Sequence, residues 1–213
     1  MAPVLFSIPL DAPGRLAITA RPRGNDWLPD EVAAWKRAGV TLAVSLLTPD
    51  EETDLGLVNE ATECAAAGVQ FLRVPVPDRG IPANRTEFAG VVSAVVAELN
   101  SGGMTAVHCR QSVGRAPLLA IAVLKAFGAT TADATTRMSV VRGVQVPETK
   151  EQAEWVDGLG PRTSPPLHEW RGGVQSAKLV GLRHELCERV TFSARTARGE
   201  NNRNVCPLNT PSP

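Results

Sequence analysis

The sequence predicts an α/β domain with a mostly parallel central sheet flanked by helices, followed by a poorly structured C-terminal tail. Three observations predict it. Short apolar, partly β-branched runs alternate with helix-length stretches from Val4 to Val156, the pattern of strands joined by crossover helices. One unit, Gly103 to Phe127, passes from a buried-strand run through a tight polar loop into an Ala- and Leu-rich helical run. Beyond about Gly158 the chain turns rich in Gly and Pro and its apolar periodicity fades.

Taken in order, Val4 to Ile8 and Leu16 to Ala20 read as short strands parted by the Pro13–Gly14 turn. Residues 21–30 read as a loop, and Pro29 with Asp30 opens a helix to Ala38 that Gly39 closes. Val40 to Leu47 is a buried strand. Thr48, Pro49, Asp50 and Glu51 start a helix with acidic residues in its first turn, and the helical pattern runs to Ala67 with a break at Gly56. Val69 to Val76 is another strand, leading into the proline-braced loop VPVPDRGIP. Arg85 to Leu99 is an amphipathic helix with apolar positions at Phe88, Val91, Val92, Val95, Val96 and Leu99. After the central unit, Thr130 or Thr131 caps a helix to about Val141, and Glu148 to Val156 forms a last one. Trp27 and Trp35, flanking a helix start, read as packing residues. Residues 1–159 are therefore expected to form the domain and residues 160–213 a largely disordered extension, modestly basic and solvated.

Composition narrows the function. The 213 residues carry a formal net charge of zero, which gives no support to nucleic-acid or anionic-membrane binding. Cys64, Cys109, Cys187 and Cys206 are widely spaced without a Cys-x-x-Cys pair, so neither a zinc site nor a disulfide framework is indicated. The N-terminus lacks a basic region and its apolar part is broken by Pro9, so no signal peptide is expected, and no run approaches a membrane span. A cytoplasmic, reducing compartment is expected, which suits a reactive thiol.

The loop of the central unit, HCRQSVGR, carries the chemistry. A strand, a tight loop and a helix start turn several unpaired backbone N–H groups toward one point, and the helix dipole adds to their pull on an anion. The same setting favours the thiolate of Cys109. Arg115, six residues on, offers a planar fork able to hold two phosphoryl oxygens. Attack of a thiolate on a phosphate ester expels an alkoxide or phenoxide that needs a proton. Asp78 is the candidate acid, because its loop follows a strand expected beside the one feeding Cys109, at the carboxyl edge where open α/β sheets bind ligands. The plainer readings are a buried structural Cys109 and a turn-forming Asp78.

His108, Cys109, five residues and Arg115, with Gly114 before the Arg, resemble the signature of cysteine-dependent protein phosphatases. Residues 13–24 (PGRLAITARPRG) together with SLLTPDE, VPVPDRGIP, AVHCRQSVGR and VPETKEQAEWV are similar to a bacterial branch related to dual-specificity and kinase-associated phosphatases, over about Val4 to Val156. The resemblance implies a protein-tyrosine-phosphatase-like fold, with Cys109 as nucleophile, Arg115 as phosphate clamp and Asp78 as acid, then base for the hydrolytic water. It implies that His108 tunes the thiol and braces the loop. It also implies that N–H groups of Arg110, Gln111, Ser112, Val113, Gly114 and Arg115 bind the phosphoryl oxygens, with no metal or other cofactor. Two positions depart from the pattern. Ala116 stands where Ser or Thr is usual, as in phosphatases of regenerating liver, and Ser112 stands where Gly is frequent, so its backbone is strained if the loop needs φ > 0.

The expected partner is a phosphorylated protein or a small phosphate monoester, with neither nucleic acid nor membrane. The chain has no Tyr, and tyrosine-specific relatives wall a deep pocket with one, so a shallower dual-specificity pocket is expected. A non-protein monoester would show itself by extra basic residues in the loop, of which Arg110 is one. A pseudophosphatase that captures phosphorylated partners, favoured by Ala116 and Ser112, and a rhodanese-like sulfur transferase, which would not need Asp78, are the rivals. Glu148 and Gln152, four apart on one helix face, either hold the catalytic loop and orient water or form a solvated cap.

Overall fold

The structure is a computed structural model that describes residues 3–159, so the expected extension, 160–213, lies outside the described residues. Its core is a five-stranded sheet of order β1-β2-β5-β3-β4, formed by β1 (Phe6–Ile8), β2 (Arg15–Ala20), β3 (Leu42–Ser45), β4 (Gln70–Arg73) and β5 (Met104–Cys109). Only β1 runs antiparallel, and the other neighbours are parallel, as the crossover pattern requires. Central β5 is buried along its whole length, which is why its sequence is a continuous apolar run with few polar interruptions.

Among the described residues seven helices cover the sheet: α1 (Leu28–Arg37), α2 (Pro49–Asp54), α3 (Glu60–Ala66), α4 (Arg85–Asn100), α5 (Arg115–Ala126), α6 (Thr131–Arg142) and α7 (Lys150–Asp157). Strand residues alternate between faces. Ala17, Ala43 and Ala106 point to the cluster made with Leu28, Val32 and Trp35 of α1 and Cys64 of α3. Ile18, Val44, Val107 and Cys109 point to the larger cluster with Phe88 and Val95 of α4, the whole of α5, Met138 of α6, and Trp155 and Val156 of α7. No described helix is long and apolar enough to cross a membrane.

Element boundaries differ from expectation where local chemistry overrides periodicity. The strand expected over Val69 to Val76 is only four residues: Val74 N–H still donates to the Ser45 carbonyl at 3.0 Å, but Val76 N–H meets the Leu46 carbonyl at 3.2 Å, a slip of one residue that ends the regular pairing. The helical pattern of residues 48–67 is two helices, parted at Gly56 with φ 68°. The last helix begins at Lys150, because Thr149 and Gln152 form a reciprocal capping box that fixes its start. Residues 25–27 form a 3-10 turn inside the expected loop. Trp35 is a core residue, but Trp27 is exposed and lies under the Arg23 guanidinium, 4.4 Å away, so its role as a packing residue is corrected.

Candidate active site

The register of the sheet sets the site. Cys109 is the last residue of β5 and pairs with Ala20 of β2, while His108 pairs with Thr19 and with Ser45 of β3. The strand ends there, the chain turns through Arg110 to Gly114, and α5 begins at Arg115. One pocket of about 250 Å³ at this carboxyl edge is lined by Asp78, Arg79, Cys109, Arg110, Gln111, Val113, Gly114, Arg115 and Glu148. The structure thus brings together Cys109, Arg115 and Asp78 with most of the expected phosphate loop. Ser112 belongs to the same loop but is turned inward and fully buried, and His108 is directed away to the opposite face of the sheet.

Arg115 is almost wholly buried and fully engaged. Its Nη1 and Nη2 donate to Glu51 Oε2 and Oε1 at 2.5 and 2.9 Å, a two-pronged pairing that matches the planes of guanidinium and carboxylate. Nη1 also donates to the Val76 carbonyl at 3.0 Å, and Nη2 to Asp78 Oδ1 at 2.9 Å. Burial opposes the Arg115 charge, but the bond to Glu51 and the charges of Cys109, Glu51 and Asp78 outweigh it and raise its basicity further. On the other side of the pair, burial opposes the charge of Glu51. The bonds from Arg115 and the Thr48 N–H, with the charges of Arg115 and Arg110, overcome it and hold the carboxyl below the usual range.

Glu51 is the site residue that sequence reasoning missed. Its place at the third position of α2 is fully accounted for by the capping box with Thr48, whose N–H it accepts at 3.1 Å, so nothing in the sequence marks a second task. Arg142 was missed for the same reason. It ends α6 as any helix-terminal cation does, yet its Nε and Nη2 donate to the carbonyls of Ser112 and Gln111 at 2.9 and 3.1 Å. Those bonds tie two successive carbonyls to the far side of the loop.

Ser112 has φ 53°, so the strain expected of a side chain at this position is present. Its Oγ is buried with no hydrogen-bond partner. Gly114, at φ −105°, leaves room for α7 and its approach: a Cβ there would stand 3.0 Å from Gln152 Oε1 and 3.1 Å from Glu148 Oε2, so those side chains would have to give by a few tenths of an ångström. Gln152 is fully buried, and its Nε2 donates to the Gly80 carbonyl at 2.9 Å. Glu148 pairs with Arg79 at 3.2 Å. The pair on α7 and its approach therefore holds the Asp78 loop against the phosphate loop; Gln152 is also a cap, in its box with Thr149, but it is buried and not part of a solvated face. Asp78 itself is half-exposed, at the tip of a turn closed by Gly80 N–H donating to the Pro77 carbonyl at 2.9 Å.

Among the described residues no cluster of three or more His, Cys, Asp or Glu side chains is placed to hold a metal ion. The donor set of the pocket fits an anion: a helix start, an immobilised guanidinium and a thiol at the centre, with the carboxyls of Asp78 and Glu148 at the rim beside Arg79 and Arg110.

No protein-family model and no curated protein matches the chain. Solved structures do. A kinase associated phosphatase (KAP), with its catalytic-site cysteine substituted by serine, aligns with a TM-score of 0.68 at 16% identity, over 73% of this chain and 93% of that one. Tk-PTP in its active form aligns with a TM-score of 0.59 at 22% identity, over 71% and 95%. PTPMT1 in complex with PI(5)P aligns with a TM-score of 0.57 at 18% identity, over 67% and 87%. The chain has the fold of the protein tyrosine and dual-specificity phosphatases.

Proposed function

We propose that the chain is a cysteine-dependent phosphatase that hydrolyses phosphate monoesters on protein side chains, phosphotyrosine or phosphoserine and phosphothreonine, through a phosphocysteine intermediate. The observation that carries this reading is the convergence of Cys109, the immobilised Arg115 and the loop-borne Asp78 on one pocket. The Cys109 thiolate attacks phosphorus, and the ester oxygen leaves with a proton from Asp78. Arg115 and the N–H groups of residues 110–115 hold the non-bridging oxygens as charge builds on them. Asp78, now a carboxylate, takes a proton from water, whose oxygen attacks phosphorus and returns Cys109 as thiolate with free phosphate. No step calls for a metal. The activity is assigned to residues 1–159 and to a reducing compartment such as the cytoplasm, where Cys109 stays free, as it is here.

A second reading, a small non-protein monoester, is favoured by one observation. Among the described residues the pocket wall carries Arg79 and Arg110 and no aromatic side chain, so the leaving group meets charge where a phenol ring would want an apolar wall. Turnover of an aryl phosphate, a phosphotyrosine peptide, a phosphothreonine peptide and a sugar bisphosphate, each with wild type and Cys109→Ser, tests both. Cys109-dependent turnover of the peptides above the sugar phosphate is the expected result. The reverse order selects the second reading. Phosphate binding with no turnover of any substrate would mean a pseudophosphatase.

A further inference from the structure

Directly behind Cys109, on the other face of β5, lies a pair of titratable side chains that the mechanism above does not use. Glu60 near the start of α3 and His108 are both 0% exposed, and Glu60 Oε1 stands 2.8 Å from His108 Nε2. The approach is close but not aligned as a hydrogen bond, and neither carboxylate oxygen nor either ring nitrogen has any other partner. The imidazole packs on Trp35 of α1, with ring centroids 5.7 Å apart. Two isolated ionisable groups in such a place stay together only if their charges sum to zero, since an uncompensated buried charge is strongly disfavoured. One proton is therefore shared by the pair. On Glu60 it leaves both groups neutral; on His108 it makes an imidazolium one residue from the nucleophile.

We propose that Glu60 is a positioning residue that holds His108 as an imidazolium, and through it favours the thiolate of Cys109. The inference rests on Cys109 being the nucleophile of the reading above. Two observations favour the charged form. Four polar atoms without hydrogen bonds have only mutual attraction to hold them, and that attraction is strong only between charges. In addition, His108 faces an acidic cluster: Glu52 of α2, tied to Arg73 of β4 at 2.7 Å, feels the charges of both Glu60 and His108. Glu63 and Cys64 lie beside Glu60 on α3, and the Cys64 thiol, pushed up to about 12 by burial and by Glu60 and Glu63, stays protonated. Trp35 of α1, Thr19 of β2 and Ser45 of β3 bring no charge to this face. Cys109 lies ahead on β5, with Arg115 beyond it.

The sign of the effect makes the test sharp. Removing the negative charge of Glu60 would by direct Coulomb action make the thiolate easier to form. The relay through His108 makes it harder, because the imidazolium goes with its partner. The measurement is the pH profile of iodoacetamide alkylation at Cys109, read by peptide mass analysis so that Cys187 and Cys206 do not interfere; Cys64 stays silent near neutral pH. No phosphate substrate is involved, so this readout stands or falls apart from the phosphatase reading. Glu60→Gln, which keeps the shape without the charge, is expected to move the midpoint up by about one pH unit, a tenfold loss of thiolate below the midpoint. In a His108→Asn background the same change should move nothing. A downward shift, no shift, or an upward shift that persists without His108 would overturn the proposal. Should Glu60→Gln fail to fold, Glu60→Asp draws the charge back by one methylene and must give an upward shift of smaller size; an unmoved midpoint there overturns it equally.

Discussion

Ser112 sits at φ 53° with its hydroxyl buried and unpaired, two costs at one position. Left-handed backbone costs an L-residue about 1–2 kcal/mol, and an unsatisfied buried hydroxyl about 1–3 kcal/mol. Glycine removes both and returns about 0.5–1 kcal/mol through the freer unfolded chain. Ser112→Gly is therefore expected to stabilise the protein by at least about 1 kcal/mol, read as a rise in the denaturant midpoint at constant slope. A fall would mean that the hydroxyl has a partner in solution. Ala116 acts on rate instead. It is fully buried, and in the proposed mechanism it would offer no donor to the sulfur as phosphocysteine breaks down. A burst of about one equivalent of phenol from an aryl phosphate, followed by a slower steady rate, is expected. Ala116→Ser should raise the steady rate about tenfold, the scale of a charge-assisted hydrogen bond of about 1.5 kcal/mol, and leave the burst unchanged. A trace without a burst places the slow step elsewhere. At this scale the sequence exposed the residues whose chemistry is rare, Cys109 before a helix, and Asp78 among prolines. It hid Glu51 and Arg142, because each has a sufficient local reason for its place and meets its second partner thirty or more positions away.

The Asp78 loop is an element held from three sides. Arg115 draws the Asp78 carboxylate inward, Gln152 holds the Gly80 carbonyl, and Glu148 pairs with Arg79, which stands at φ 57°. In the proposed mechanism an arriving phosphoryl group would compete with Asp78 for the same Nη2 of Arg115, and binding would free the carboxyl for the leaving-group oxygen while its loop stays in place. Asp78→Asn is expected to slow alkyl phosphates by about 100-fold, the usual size of general acid catalysis. Phosphates of acidic phenols should lose much less. Equal losses on both would make Asp78 a turn former only. Element existence along the chain followed from periodicity, since β5 and α5 have too few polar residues to lie anywhere but the centre, but spatial order did not: the strand before the Asp78 loop, expected beside β5, is the edge strand β4 and pairs with β3 instead. Element ends did not follow either, because the register slip at Val76, the break at Gly56 and the Thr149–Gln152 box act over one or two residues, a range that a periodic pattern cannot resolve.

At the scale of the described domain, the sheet carries one apolar cluster on each face, and ion pairs link elements at its carboxyl edge. The Glu51–Arg115 pair ties α2 to α5 there and makes stability depend on acid. Glu51 is held below its ordinary value, so its contribution is complete above the unfolded carboxyl range near about pH 4.3 and fades as pH falls through the lower folded value. Glu52 tilts the other way, because burial raises it despite Arg73. Comparing wild type with Glu51→Gln cancels that term. The variant should be less stable by about 3 kcal/mol at neutral pH, the lower end for a broken buried pair, since Asp78 and the Val76 carbonyl remain on Arg115. The gap should close below about pH 4; a gap independent of pH would assign the loss to packing. The division into two faces has a further consequence for a thiolate that meets peroxide instead of phosphate. Attack on the O–O bond would leave Cys109 as a sulfenic acid, which is made safe by a second thiol or a nearby backbone nitrogen before it oxidises further. Cys64, the other described thiol, lies in the opposite cluster with β5 between them, protonated and beyond reach of a disulfide. Among the described residues, the oxidised site therefore depends on its own loop nitrogens or on a thiol brought from solution to regain the free sulfur.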